Sequence, residues 1–166
     1  MSLSTPRLLL RPVERGDLDA FLRLWTEPVV RRHLGGPVPA DHLAAYRQAV
    51  VGRPGVFAVV AGQSGAPGVR PGSPVGYVEL RPDTRRPGRT ELSYGLLPEA
   101  TGRGLGREAV AAVLAWYRGE RASHHEVIAV TRVANGPSLR LLRAVGLREK
   151  ERFEAWGAAQ VLYSSR

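Results

Sequence analysis

The chain has 166 residues, 43% of them hydrophobic, which suits one domain over residues 1–166 with a single two- or three-layer core. It has no cysteine, which excludes disulfides, thiolate metal sites and a cysteine nucleophile, and its formal charge of +9 is carried almost wholly by arginine. No run approaches the roughly 20 apolar residues of a membrane span, and the apolar run 8–10 is too short for a signal peptide, so a cytoplasmic protein without a membrane partner is expected.

Residues 8–11 read as a first strand, stopped by Pro12. Asp17 is placed to cap a helix through Leu18, Phe21, Leu22 and Trp25. Pro28 ends it or opens a short helix over 29–34, and Asp41 is placed to cap another that ends near Gly52. The apolar run 56–61 predicts a strand and 63–74, broken by glycine and proline, a loop. Residues 75–80 and 90–97 form a hairpin around a polar turn. After the glycine-rich stretch 102–106, Leu105, Ala109, Ala112, Val113 and Trp116 recur at helical spacing to about Arg118. Residues 127–133 predict a strand rich in β-branched side chains. Asn135-Gly136-Pro137-Ser138 opens a helix that Gly146 ends, and two short strands near 148–153 and 160–163 finish the chain.

The chemistry concentrates in Leu96-Leu97-Pro98-Glu99-Ala100-Thr101-Gly102-Arg103-Gly104-Leu105-Gly106-Arg107, a strand, a glycine loop and a helix start. Amides at a helix N-terminus lack partners and sit at the positive end of its dipole, so such a loop suits a phosphate. Arg103 and Arg107 add charge. A triphosphate P-loop needs a Gly-Lys pair that is absent, and in the dinucleotide fingerprint Arg107 stands where the third glycine belongs. Gly104 and Gly106 fit the [QR]-x-x-G-x-[GA] loop of acyl-CoA N-acyltransferases, with Thr101 departing at the Gln/Arg position. A strand-to-helix turn without a ligand is the alternative.

With these motifs in order, the sequence resembles the GNAT superfamily of N-acetyltransferases over nearly its whole length. Thr5-Pro6-Arg7-Leu8-Leu9-Leu10-Arg11-Pro12 is similar to the opening strand of the ribosomal-protein N-terminal acetyltransferase branch, the RimJ/RimL type. Glu91-Leu92-Ser93-Tyr94-Gly95-Leu96 resembles the strand before the pyrophosphate loop, and Asn135-Gly136-Pro137-Ser138 the N-x-x-S helix. The resemblance implies an α+β fold: a mixed, mostly antiparallel sheet of about six to seven strands flanked by helices. A splayed parallel pair, here 90–97 and 127–133, would take acetyl-CoA. By position, the amides of Arg103, Gly104, Leu105, Gly106 and Arg107 would hold the pyrophosphate and the backbone of Leu96 and Leu97 the pantetheine arm. Asn135 would bind that arm or fix the strand end, and Arg140 would reach the 3′-phosphate. Many members carry a tyrosine acid where this chain has Leu142; Ser138 is the substitute, with a capping role as its alternative. Many members also pair, so a homodimer is one arrangement to expect.

Amine acetylation needs a neutral amine, a stabilised oxyanion and a leaving thiolate. Glu91 and Glu79 are the candidate bases, each with a solvated strand residue as its alternative, and Ser93 and Tyr94 are candidates to orient a water. A backbone N–H at Leu96 or Leu97 is the oxyanion donor expected where sheet pairing breaks. Trp25, His33, Leu34, Phe153 and Trp156 are candidates for the acceptor wall. His124-His125-Glu126 lacks the spacing of a zinc motif, so no metal is assigned. The scattered arginines disfavour nucleic acid. Three functions stay open: acetylation of a protein N-terminal amine, acetylation of a small amine such as an antibiotic, polyamine or amino acid, and a non-catalytic CoA- or nucleic-acid-binding module.

Overall fold

The structure is a computed structural model and describes residues 1–64, 67–120 and 125–166. The described residues form one sheet of eight strands. In chain order these are β1 (Leu3–Ser4), β2 (Leu8–Pro12), β3 (Val56–Ala61), β4 (Pro74–Pro82), β5 (Arg89–Leu96), β6 (Glu126–Arg132), β7 (Arg148–Ala155) and β8 (Ala158–Ser164). Their spatial order is β1-β2-β3-β4-β5-β6-β8-β7, antiparallel throughout except for β5 and β6. Five α-helices accompany them: α1 (Leu18–Thr26), α2 (Pro28–Arg31), α3 (Ala40–Val50), α4 (Leu105–Glu120) and α5 (Gly136–Ala144). None is long and apolar enough to cross a membrane.

Helices cover both faces. Leu105, Ala109, Val110, Val113 and Leu114 of α4 and Leu142 of α5 pack on Leu8, Leu10, Val78, Leu80 and Leu92. On the other face Phe21, Leu24 and Trp25 of α1 meet Ala58 and Val60. Burying a side chain such as Phe21 or Leu24 stabilises by about 2–3 kcal/mol each. Enclosure from both sides explains why every residue of β3 is buried and why its sequence is continuously apolar. The α4 crossover is what lets β5 and β6 run parallel.

The strand beyond the expected six or seven is β1, whose two residues pair with Leu9 and Leu10 and are too few to show a period. Asp17 does not cap α1. Its carboxylate accepts from the Glu14 amide at 2.8 Å and pairs with Arg11 at 2.7 Å, bracing a 3-10 turn that precedes the helix. Asp41 lies inside α3, which begins at Ala40 after Pro39, and makes no cap. The final hairpin turns through Trp156 and Gly157, both at positive φ, a geometry that asks much of a tryptophan.

Candidate active site

The parallel pair is short. Arg89, Thr90 and Glu91 face Glu126, Val127 and Ile128, and pairing stops there. Strand β6 goes on pairing with β8 from Ile128 to Arg132, so among the described residues no strand lies beside the outer edge of β5 beyond Glu91. The Leu97 amide donates to the Val75 carbonyl at 2.8 Å. Antiparallel pairs alternate, so the amides and carbonyls of Tyr94 and Leu96 point away from β4 and into the opening. Leu97 is thereby corrected: its amide is spent on β4, its carbonyl accepts from Ala100, and it is 1% exposed. Of the two amides expected as donors, alternation aims that of Leu96 into the opening and that of Leu97 at β4.

The glycine loop sits at the end of β5. Gly102 and Gly104 have φ of 70° and 77°, which other residues rarely adopt, and the chain then enters α4. A Cβ on Gly106 would stand 3.1 Å from Leu96 and 3.2 Å from Leu141, so glycine lets the helix start approach both β5 and α5. Among the described residues, no amide from 102 to 107 donates to a protein acceptor. Arg103, Arg107 and Arg140 are exposed there and form no ion pair with a described carboxylate. From behind, Arg7 holds the loop. Its guanidinium donates to the Arg103 carbonyl at 2.9 Å and to Glu108 at 2.7 Å, and Thr5 donates to Glu108 at 2.6 Å. Burial pushes the Glu108 carboxyl up, but the bonds from Thr5 and Arg7 outweigh it and hold the group below the usual range.

Asn135 caps α5, accepting from the Ser138 amide at 3.4 Å, and donates to the Thr131 hydroxyl at 3.0 Å. It therefore ties the end of β6 to the first turn of α5. Opposite stands Tyr94, whose hydroxyl oxygen is buried without a hydrogen-bond partner among the described residues. Burial pushes this phenol up to about 12, and the Ser138 hydroxyl, near it but not in hydrogen-bonding geometry, opposes the shift. A buried, unpartnered hydroxyl is costly, and such groups call for an explanation.

On the other sheet face, between α1, α3 and strands β4 and β5, lies a pocket of about 390 Å³. It gathers four residues singled out from sequence: Trp25, Leu34, Glu79 and Ser93. Glu79 faces Ser93 across the ladder, and Arg53 lies 3.4 Å from its carboxylate. Tyr77, two residues before Glu79 on the same face, approaches the Ser93 hydroxyl at 3.5 Å, and burial pushes its phenol up. Phe21 and Trp25 stack edge to face at 5.6 Å, as do Trp25 and Tyr46 at 5.5 Å. A second depression, near Arg15 and Arg47, has no carboxylate in its lining.

The remaining candidates lie outside the pocket. Glu91 shares the face of Glu79, but Arg81 and Arg85 occupy its carboxylate at 3.1 and 3.7 Å. Ser93 and Tyr94 cannot flank one water, because adjacent strand residues point to opposite faces. His33 sits beside Arg32 and Arg132, held below its usual value by burial and then by those two charges. Phe153 is half-buried on β7, and Trp156 is 72% exposed at the hairpin tip. Sequence reasoning missed Tyr77 and the Arg7–Glu108 clamp. No group of three His, Asp or Glu among the described residues could hold a metal, and His124 lies outside them.

The chain's similarities agree with this geometry. The acetyltransferase (GNAT) domain model matches residues 7–148. No curated protein matches at the level of sequence. Among solved structures, the GNAT-family acetyltransferase from Bacillus anthracis superimposes with a TM-score of 0.82 at 20% identity, covering 99% of this chain and 97% of that one. The acetyltransferase from Agrobacterium tumefaciens str. C58 gives 0.80 at 18%, covering 99% and 93%. The ribosomal-protein-S5-alanine acetyltransferase from Vibrio fischeri gives 0.74 at 17%, covering 99% and 95%; at these identities the likeness is one of fold. With a family model spanning most of its length and a sheet that opens beside a glycine loop, the chain belongs to the acetyltransferase (GNAT) family.

Proposed function

We propose that the chain is an acetyl-CoA-dependent N-acetyltransferase whose acceptor is a primary amine, foremost the α-amine of a protein N-terminus, working by direct attack in a ternary complex. One observation carries the reading: the sheet opens after three parallel rungs, with unpartnered amides at 102–107 at its mouth and a carboxylate-bearing pocket across it. These residues fit acetyl-CoA, since free amides and arginines that no described carboxylate engages suit its phosphates, and an unpaired strand edge suits an amide-bearing arm.

When bound, acetyl-CoA supplies an activated acetyl group. The amides of residues 103–107 bind the diphosphate, with Arg103, Arg107 and Arg140 adding charge. The backbone of Tyr94 and Leu96 holds the arm, and the Leu96 N–H also faces the developing oxyanion. Glu79 takes the proton from the amine nitrogen, directly or through a water held by Ser93. An α-amine, with a pKa near roughly 8, asks less of that base than a lysine near about 10.4. Ser138 donates to the leaving sulfur. Tyr94 stays protonated and turns its hydroxyl hydrogen onto Ser138, which makes it a positioning residue. With no cysteine, no acyl-cysteine precedes the attack.

Titration with acetyl-CoA and with nonspecific DNA separates an enzyme from a basic binding module: CoA binding saturates, and DNA binding is weak and falls steeply with salt. CoA release in the presence of N-terminal peptides, lysine side chains and small amines then separates the acceptor classes. If no amine releases CoA above hydrolysis, the enzymatic reading is wrong.

A further inference from the structure

The acceptor pocket is charged in a way that acetyl transfer alone does not demand. Three guanidinium groups, Arg31, Arg53 and Arg81, line it against one carboxylate, Glu79. Arg53 already lies 3.4 Å from Glu79, and Arg81 is paired at 3.1 Å with Glu91 on the rim. Arg31 differs from both. Its Nε donates to the Gly36 carbonyl at 2.8 Å and its Nη2 to the Leu34 carbonyl at 2.9 Å, which locks the group in place. No described carboxylate pairs with it, and its Nη1 makes no bond to the described residues. A fixed, half-buried guanidinium with a free N–H edge is a preorganised anion receptor. The aromatic walls could hold one ammonium, but Glu79 is the sole lining carboxylate, so a second positive charge would have no counter-ion.

Resting on the acetyl-transfer reading above, we propose that the acceptor is an amine that also carries an anionic group, a carboxylate or phosphate, which docks on Arg31, and that polycationic amines are rejected. Apolar rings pack the body of the acceptor, Glu79 and Ser93 face its amine, and Arg31 takes its anion. An acidic N-terminal segment of a protein and a free acidic amino acid share this chemistry. Spermidine and aminoglycoside-like amines, two or more positive charges each, meet like charge instead. The +9 of the whole chain steers the same acceptors toward the pocket.

The test uses C-terminally amidated peptides Ala-Glu-Glu-Gly, Ala-Gln-Gln-Gly and Ala-Lys-Lys-Gly, with free glutamate, O-phosphoserine and spermidine as further arms. CoA release gives kcat/KM, and calorimetry on the chain without CoA gives peptide affinity. The acidic peptide is expected to exceed the neutral one by roughly ten-fold and the basic one by more, with the ratio shrinking at high salt. Arg31→Gln should erase the acidic preference and Arg31→Lys retain much of it, with CoA affinity unchanged in both. If Arg31→Gln misfolds, the salt dependence and Arg31→Lys still decide. Glutamate and phosphoserine reveal whether the anion must belong to a peptide. Basic peptide or spermidine matching the acidic peptide overturns the proposal. If no amine is acetylated, the transfer reading fails, and tighter binding of the acidic peptide by calorimetry still supports the charge assignment while equal binding overturns it.

Discussion

Substituting Glu108 by alanine tests whether the glycine loop depends on support from a distant strand. Glu108 accepts from Thr5 at 2.6 Å, from the Arg7 amide at 3.0 Å and from the Arg7 guanidinium at 2.7 Å, and its side chain is 17% exposed. Alanine removes these bonds and leaves the Arg7 amide and guanidinium without their acceptor. Charge-assisted bonds contribute about 1.5–3 kcal/mol each and are not additive, and Arg7 is partly solvated, so a loss of about 3 kcal/mol is expected. In a domain of this size that lowers Tm by roughly 6–12 °C. Because Arg7 also holds the Arg103 carbonyl, CoA affinity should fall by roughly ten-fold as the loop loses its preorganised shape. Urea unfolding and calorimetry with CoA measure both. The Glu108 carboxyl is depressed in the fold, so its contribution is full above the ordinary glutamate value near 4.5 and is lost as pH falls through the folded value. The lead of the wild type over Glu108→Gln should therefore shrink as pH falls below the ordinary glutamate value of 4.5 and through the lower folded one. An alanine variant of unchanged stability, or one destabilised with CoA affinity intact, refutes the clamp.

Glu79→Gln should lower kcat/KM by about a hundred-fold, while Glu91→Gln, whose carboxylate is held by Arg81 and Arg85, changes it by no more than about three-fold; steady-state CoA release compares them. Tyr94→Phe should reduce kcat by about ten-fold, and adding it to Ser138→Ala should cost little more, because the two hydroxyls act as one unit. A Cβ on Gly95 would stand 2.8 Å from the Tyr77 ring, so Gly95→Ala should raise the acceptor KM and lower stability by about 1–3 kcal/mol in urea.

Features legible in the sequence were those that neighbouring residues encode. The turn at Gly102–Gly104, the Asn135 cap and the Gly146 stop each rest on local backbone chemistry, and each stands where the residues place it. Pairing register was harder. Tyr77, Glu79 and Arg81 share a face by simple alternation, but that Tyr77 reaches Ser93 depends on the register of β4 against β5, which alternation along one strand does not encode. The same alternation separates Ser93 from Tyr94. That Leu97 spends its amide on Val75 depends on how far one hairpin extends, which composition does not encode. The Arg7–Glu108 clamp joins residues 101 apart in the chain, and only the folded sheet brings them together. Which arginines a glutamate meets is likewise a matter of register, since Arg81 stands directly opposite Glu91.

The binding of a diphosphate by the amides of the glycine loop is tested most directly by titrating the 15N-labelled chain with CoA and following backbone amide resonances. The largest shifts are expected at residues 103–107, with Tyr94 and Leu96 moving as the arm enters the opening and Leu97 staying in place. Saturating CoA that leaves residues 103–107 unmoved would contradict the account.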